Sequence, residues 1–146
     1  MPSRRFLHIG IMGAGAIGCF VGGRLAAAGA AEVSFVGRSS LGDRMREHGI
    51  TIRAFDGARY VDSSRVRFAT DAAVLADCDV VLVCVKSGST AEAAAALEGV
   101  LRPHAIVVSL QNGLRNADVL REQLPNNRVV AGIVGFNVVM QDRAVF

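Results

Sequence analysis

Two kinds of apolar patterning alternate along this chain of 146 residues. Compact apolar runs of strand length, Phe6–Met12, Glu32–Val36, Val80–Val85, Ala105–Leu110 and Val129–Val134, are separated by segments whose apolar positions recur every three or four residues. The spacing predicts helices over Ala16–Ala28, Leu41–His48, Ala72–Ala76, Thr90–Leu101 and Asn116–Gln123. In the first of these Ile17, Phe20, Val21, Leu25 and Ala28 fall on one predicted buried face, and Gly29 supplies a stop. Gly22 follows Gly18 by one turn, so the two share a face on which the helix backbone could approach a sheet. That closeness would offset the cost of about 1 kcal/mol for glycine within a helix. Ser89 or Thr90 caps the fourth helix, with Glu92 in its first turn, and Pro103 ends it.

One stretch breaks the alternation. Ile50–Ala54, a turn at Asp56-Gly57, and Arg59–Val61 read as a β-hairpin, after which a strand near Arg65–Phe68 resumes the order. The strands Val80–Val85, Ala105–Leu110 and Val129–Val134 are almost wholly apolar, the pattern of strands covered on both faces by helices. The fold class is therefore α/β: a doubly wound, mostly parallel, Rossmann-type sheet with a small β-hairpin insertion. Residues 1–135 form one domain of ordinary size. After Gly135 an extended apolar segment meets Gln141-Asp142-Arg143 and stops on Ala144-Val145-Phe146, with no evident partner strand. Residues 136–146 read as the start of a connection to a further domain, and their uncovered apolar surface predicts self-association, as a homo-oligomer or otherwise.

Composition narrows the classes. With 51% hydrophobic and 20% charged residues the chain is globular, and no apolar run reaches the roughly 18 residues of a membrane span. The basic N-terminus leads straight into the first strand without a separate signal-peptide region, which points to a cytoplasmic protein. Cys19, Cys78 and Cys84 form no paired motif and read as reduced, buried thiols. His8, His48 and His104 share no metal-ligand spacing with them, so no metal site is expected. The net charge of +3, a single Tyr and no Trp give no support for nucleic-acid binding.

The chemistry is concentrated where strands end. His8–Gly18 runs from a strand through Gly13-x-Gly15-x-x-Gly18 into a helix, the dinucleotide fingerprint in its required context. Gly13 allows the tight turn, Gly15 lets a pyrophosphate reach the backbone, and Gly18 lets helix and strand pack closely. Ala14, Ala16 and Ile17 complete the loop and offer N–H groups at a positive helix end. Where NAD binders place an acid after the second strand, this chain has Gly37-Arg38-Ser39-Ser40. A carboxylate would repel a 2′-phosphate, whereas the Arg38 guanidinium can bind it, so NADP(H) is the expected cofactor. The other reading of Arg38 is a solvated surface arginine. Lys86, the single lysine, follows the strand Val80–Val85, and Asn112 follows Ala105–Leu110; both belong at the carboxyl edge of the sheet, where they could orient nicotinamide or substrate. For each the plain alternative is structural, a surface lysine and an Asn-Gly turn.

Gly13–Gly18, Arg38, Val83-Cys-Val-Lys86, Gln111-Asn-Gly113 and Gly132-Ile-Val-Gly135 together resemble, in order and spacing, the N-terminal domain of the ketopantoate reductase (2-dehydropantoate 2-reductase) family. The resemblance covers nearly the whole chain. It implies that the glycine loop holds the NADPH pyrophosphate, that Arg38 binds the 2′-phosphate, and that Lys86 and Asn112 lie beside nicotinamide and substrate as the catalytic candidates. It implies hydride transfer to the carbonyl carbon of a 2-keto acid, ketopantoate giving pantoate on the route to pantothenate. It also implies a C-terminal helical domain carrying a lysine general acid, which these 146 residues do not contain. Two other expectations follow from the residues alone: a β-hydroxyacid-type dehydrogenase with a different substrate, and a nucleotide-sensing Rossmann module, against which the missing acid after strand 2 counts.

Overall fold

The computed structural model describes residues 5–146. Six parallel strands form the central sheet: β1 (Leu7–Met12), β2 (Ala31–Val36), β5 (Arg67–Ala69), β6 (Val80–Val83), β7 (Ile106–Leu110) and β8 (Arg128–Gly132). They lie side by side as β5-β2-β1-β6-β7-β8. The chain starts in the middle, builds outward through β2 and β5, then returns to build the other half, so the strand order reverses between β1 and β6. Ile9 marks that junction, paired with Val33 on one side and Val80 on the other.

Helices α1 (Ala16–Ala27), α2 (Ser39–His48), α3 (Thr90–Leu97) and α4 (Asn116–Gln123) connect the strands. Two cores result. Ile9, Ile11, Val33 and Phe35 pack with α1, α2 and the antiparallel hairpin β3 (Ile50–Ala54) and β4 (Gly57–Val61). Val81, Val83 and Val107 pack with Ala93, Ala94 and Leu97 of α3 and Leu120 of α4.

α1 departs from the predicted face. Its buried residues are Gly18, Cys19, Gly22, Gly23 and Ala26, while Ile17, Phe20, Val21 and Leu25 are only partly buried. The reason is distance. A methyl group on Gly22 would lie 2.6 Å from Cε1 of Phe35, and one on Gly23 would lie 2.5 Å from Cδ1 of Ile52. The helix is pressed between sheet and hairpin, and its smallest residues form the contact. Hydrogen bonds of 3.0 and 2.9 Å from Arg24 to Asp56 fasten the hairpin tip to the helix.

Other expectations shift for local reasons. α3 ends at Leu97 rather than Leu101, because Glu98 leaves the helical conformation and Gly99 turns left-handed (φ 72°), well before Pro103. α2 begins at Ser39 rather than Leu41. β8 is an edge strand with Val130 40% exposed, so it is not covered on both faces as its apolar sequence suggested. The final segment does find a partner: the N–H of Thr51 donates to the Ala144 carbonyl (3.0 Å) and that of Phe146 to Thr51 (2.9 Å). Ala144 and Phe146 are buried against the hairpin, while Phe136 and Val139 remain exposed.

At the sheet edge opposite the glycine loop, buried His8 shares a 2.8 Å hydrogen bond with Ser34 Oγ. Burial pushes its imidazole below the ordinary 6.5, and the charge of Arg67 acts the same way.

Two outcomes follow from this packing. Gly22→Ala is expected to destabilise the chain by about 1–3 kcal/mol through overpacking against Phe35, read as a lowered urea midpoint. The folded chain resists a proton on His8 that the unfolded chain accepts, so its stability is unaffected well above pH 6.5 and falls as pH drops below it. Urea midpoints between about pH 7.5 and 5.5 should therefore decline, and less steeply in His8→Gln. Asp56, held down to about 2 by hydrogen bonds from Arg24, titrates outside that window.

Candidate functional site

β1, β2, β6 and β7 end along one edge, at the point where strand order reverses, the place where open α/β sheets form a crevice. The glycine loop fills its centre. Gly13 takes φ +105°, a conformation side-chain-bearing residues rarely adopt, and the N–H groups of Gly13 and Ala14 both donate to the Val36 carbonyl at the end of β2 (3.2 and 2.8 Å). A methyl on Gly18 would lie 2.4 Å from the Gly13 carbonyl oxygen, so the loop and first turn of α1 are locked together. A methyl on Gly15 would meet nothing within 4 Å: its exposed face opens onto the cleft.

α1 starts at this loop with Gly15 as its N-cap. No side chain caps it and no acid stands in its first turn. The N–H groups of Ala16, Ile17 and Gly18 have no hydrogen-bond acceptor among the described residues. The positive end of the helix is thus open to solvent and able to receive an anion.

The cleft has two adjoining halves. One, of about 410 Å³, is bounded by Gly13–Gly15, Arg38, Arg44 and Lys86. The other, of about 330 Å³, is bounded by Ile17, Lys86, Asn112, Phe136 and Asn137. Cys84, Val85 and Lys86 line both and form the shared floor. Among the described residues none of those lining either half is acidic, whereas Arg38, Arg44 and Lys86 are basic. Such a cleft favours anions along its length. Burial pushes the Cys84 thiol up to about 12, which makes it an apolar floor rather than a nucleophile.

The expected site residues are therefore neighbours. Gly13, Ala14, Gly15 and Arg38 border the first half, Ile17 and Asn112 the second, and Lys86 both; Gly18 lies behind the loop and Ala16 supplies one of the free N–H groups. Sequence reasoning missed three contributors. Because α2 begins at Ser39, Arg38 is its N-cap, and a second helix start with no side-chain cap opens beside the guanidinium. The pair Ser39-Ser40 was the available signal. Arg44 leans back toward the first turn of α2, its Nε 3.4 Å from the Ser40 carbonyl, and joins Arg38 in the cleft wall. Phe136, Asn137 and Met140 of the final segment complete the rim.

Gly37 enables this convergence, since a methyl there would lie 2.7 Å from Cβ of Ala14. Among the described residues no cluster of His, Cys, Asp and Glu could hold a metal ion, and no helix is long and apolar enough to cross a membrane.

Residues 9–146 match the family model described as ketopantoate reductase PanE/ApbA. A curated 2-dehydropantoate 2-reductase of Halobacterium salinarum is 43% identical over 127 residues, covering 86% of this chain and 41% of that protein. Among solved structures, a PanE/ApbA family ketopantoate reductase from Ralstonia eutropha JMP134 superposes with TM-score 0.78 at 36% identity, covering 86% of this chain and 40% of that one. A D-mandelate dehydrogenase solved with NADH and anilino(oxo)acetate shares the fold, with TM-score 0.77 at 16% identity over 95% of this chain and 44% of that one. The chain spans about two fifths of the length of these proteins.

Proposed function

This chain belongs to the ketopantoate reductase PanE/ApbA family, and from that premise we propose that its cleft holds NADPH for the reduction of a 2-keto acid, ketopantoate to pantoate. The observation that carries the reading is the continuity of the cleft: one floor, Cys84–Lys86, joins an anion-seeking glycine loop to the Lys86–Asn112 edge without an intervening carboxylate.

The residues present fit the cofactor. The open face of Gly15 gives a pyrophosphate access to the backbone, and the free N–H groups of Ala16 and Ile17 suit its charge. Arg38 and Arg44, beside the uncapped start of α2, suit a 2′-phosphate; their charge and fork geometry reject nothing that NADPH carries. When bound, NADPH supplies the hydride. The chain's own groups then bind and orient: Lys86 and Asn112 present an ammonium and an amide at the rim of the second half, suited to the nicotinamide ribose and to the oxygen atoms of a keto acid.

Reducing a carbonyl also requires a proton at its oxygen. Lys86 matches the family's nucleotide-domain lysine rather than its acid, so we assign it to binding. The proton donor is proposed to belong to the helical domain that the family resemblance implies. Residues 1–135 are assigned to the cofactor domain and 136–146 to the start of the connection.

The test is cofactor preference. The chain is expected to bind NADPH more tightly than NADH, and Arg38→Ala to remove most of the difference. Losing a charge-assisted contact costs about 1.5–3 kcal/mol, roughly 10- to 100-fold in dissociation constant by titration calorimetry. Equal affinities in the unmutated chain, or an undiminished preference in Arg38→Ala, would overturn the assignment.

A further inference from the structure

Lys86 and Asn112 are carried by different loops, one after β6 and one after β7, and neither loop is rigid by secondary structure alone. What joins them is a run of buried polar side chains that lies behind the cleft and reaches its lining at Gln111. Thr90, Ser109, Gln111 and Asn116 are each 6% exposed or less. Gln111 accepts a hydrogen bond from Ser109 Oγ (3.0 Å) and donates from Nε2 to the Val85 carbonyl (2.9 Å) and to Thr90 Oγ1 (2.8 Å). The Thr90 hydroxyl shares its proton between Asn116 Oδ1 (2.8 Å) and the Ser87 carbonyl (3.0 Å). Asn116 Nδ2 donates to Ser87 Oγ (3.1 Å) and to the Asn112 carbonyl (3.0 Å), and Ser87 Oγ donates to that same carbonyl (2.7 Å).

The arrangement has a direction. Carbonyl groups on both sides of Lys86, those of Val85 and Ser87, are held from behind, and so is the carbonyl of Asn112 itself. Resting on the proposed cofactor reading, we infer that Thr90 and Asn116, with Gln111, are positioning residues that fix the Lys86 loop against the Asn112 loop and so preset the spacing of ammonium and amide at the nicotinamide end of the cleft. Thr90 and Asn116 do not line either half of the cleft. An apolar filling would hold α3 against α4 as well, without the desolvation that four buried polar groups incur. A fully bonded network instead specifies one geometry. The Arg38 and Arg44 wall of the adenosine end is built on α2 and makes none of these bonds; that end meets the network only through the floor residues Val85 and Lys86.

That separation makes the inference testable. Thr90→Val keeps shape and removes the hydroxyl at the centre of the network; Thr90→Ser restores it. Affinities of the chain are measured for NADPH and for 2′,5′-ADP, which reaches only the adenosine end, alongside the unfolding temperature. Thr90→Val is expected to weaken NADPH about tenfold and 2′,5′-ADP, held chiefly by the Arg38 and Arg44 wall, far less, and Thr90→Ser to recover NADPH binding. Unchanged affinity for both ligands, or a parallel loss of both with a lowered unfolding temperature, would overturn the positioning role. If Thr90→Val does not fold, Thr90→Ala decides, because it removes the same hydroxyl without setting a methyl group against the Gln111 amide: a loss confined to NADPH supports the inference and unchanged affinities refute it. An unmutated chain that binds neither ligand would instead sink the cofactor reading, and this inference with it.

Discussion

The contact between Gly18 and the Gly13 carbonyl, where no methyl group can be inserted, is the constraint on which the rest of this structure depends. It brings the first turn of α1 onto the end of β1 so closely that the helix axis, the glycine loop and the sheet edge have one relative placement. Gly22 and Gly23 extend the same close approach along the helix, toward Phe35 on one side and Ile52 on the other. The hairpin β3–β4 therefore presses the helix onto the sheet, and Arg24 with Asp56 secures its tip. The final segment, hydrogen-bonded to β3, lies over the same assembly.

From that placement the electrostatics of the cleft follow. An uncapped helix start aimed into water is an unsatisfied set of N–H donors, and here two such starts, α1 and α2, converge because Gly37 lets the end of β2 lie against Ala14. Arg38 and Arg44 add charge to one end and Lys86 to the floor. The other end is assembled differently, from two loops registered by buried hydrogen bonds rather than by glycine contacts. In the proposed reading, affinity for the anionic part of a ligand and orientation of its reactive part would rest on different pieces of the fold, joined by the Cys84–Lys86 floor.

Much of this was legible in the sequence, and the reasons differ by element. The apolar runs gave the strands because the inner strands of a covered parallel sheet need them, and the glycine spacing marked the loop because Gly13 and Gly18 each answer a steric demand while Gly15 leaves an open face between them. Periodicity failed on α1: a helix squeezed between two layers buries its smallest residues, so Ile17, Phe20, Val21 and Leu25 misdirected the reading of its face. The early end of α3 was hidden because Gly99 precedes the more conspicuous Pro103. Arg44 and the rim residues Phe136 and Asn137 were out of reach, since their place in the cleft depends on where α2 begins and on how the final segment folds back. The polar network was equally hidden: Thr90, Gln111 and Asn116 lie apart in sequence and meet only when α3 and α4 pack.

A single cleft, running from the start of α2 across the glycine loop to Asn112, is proposed to receive one dinucleotide. Backbone amide shift perturbation on titrating NADPH into the isotopically labelled chain tests it most directly. Changes are expected to saturate together at Gly13–Ile17, Arg38–Ser40, Lys86–Ser87 and Asn112–Gly113, with the opposite sheet edge around His8 and Asp79 unmoved. Changes confined to that opposite edge, or none at saturating NADPH, would contradict it.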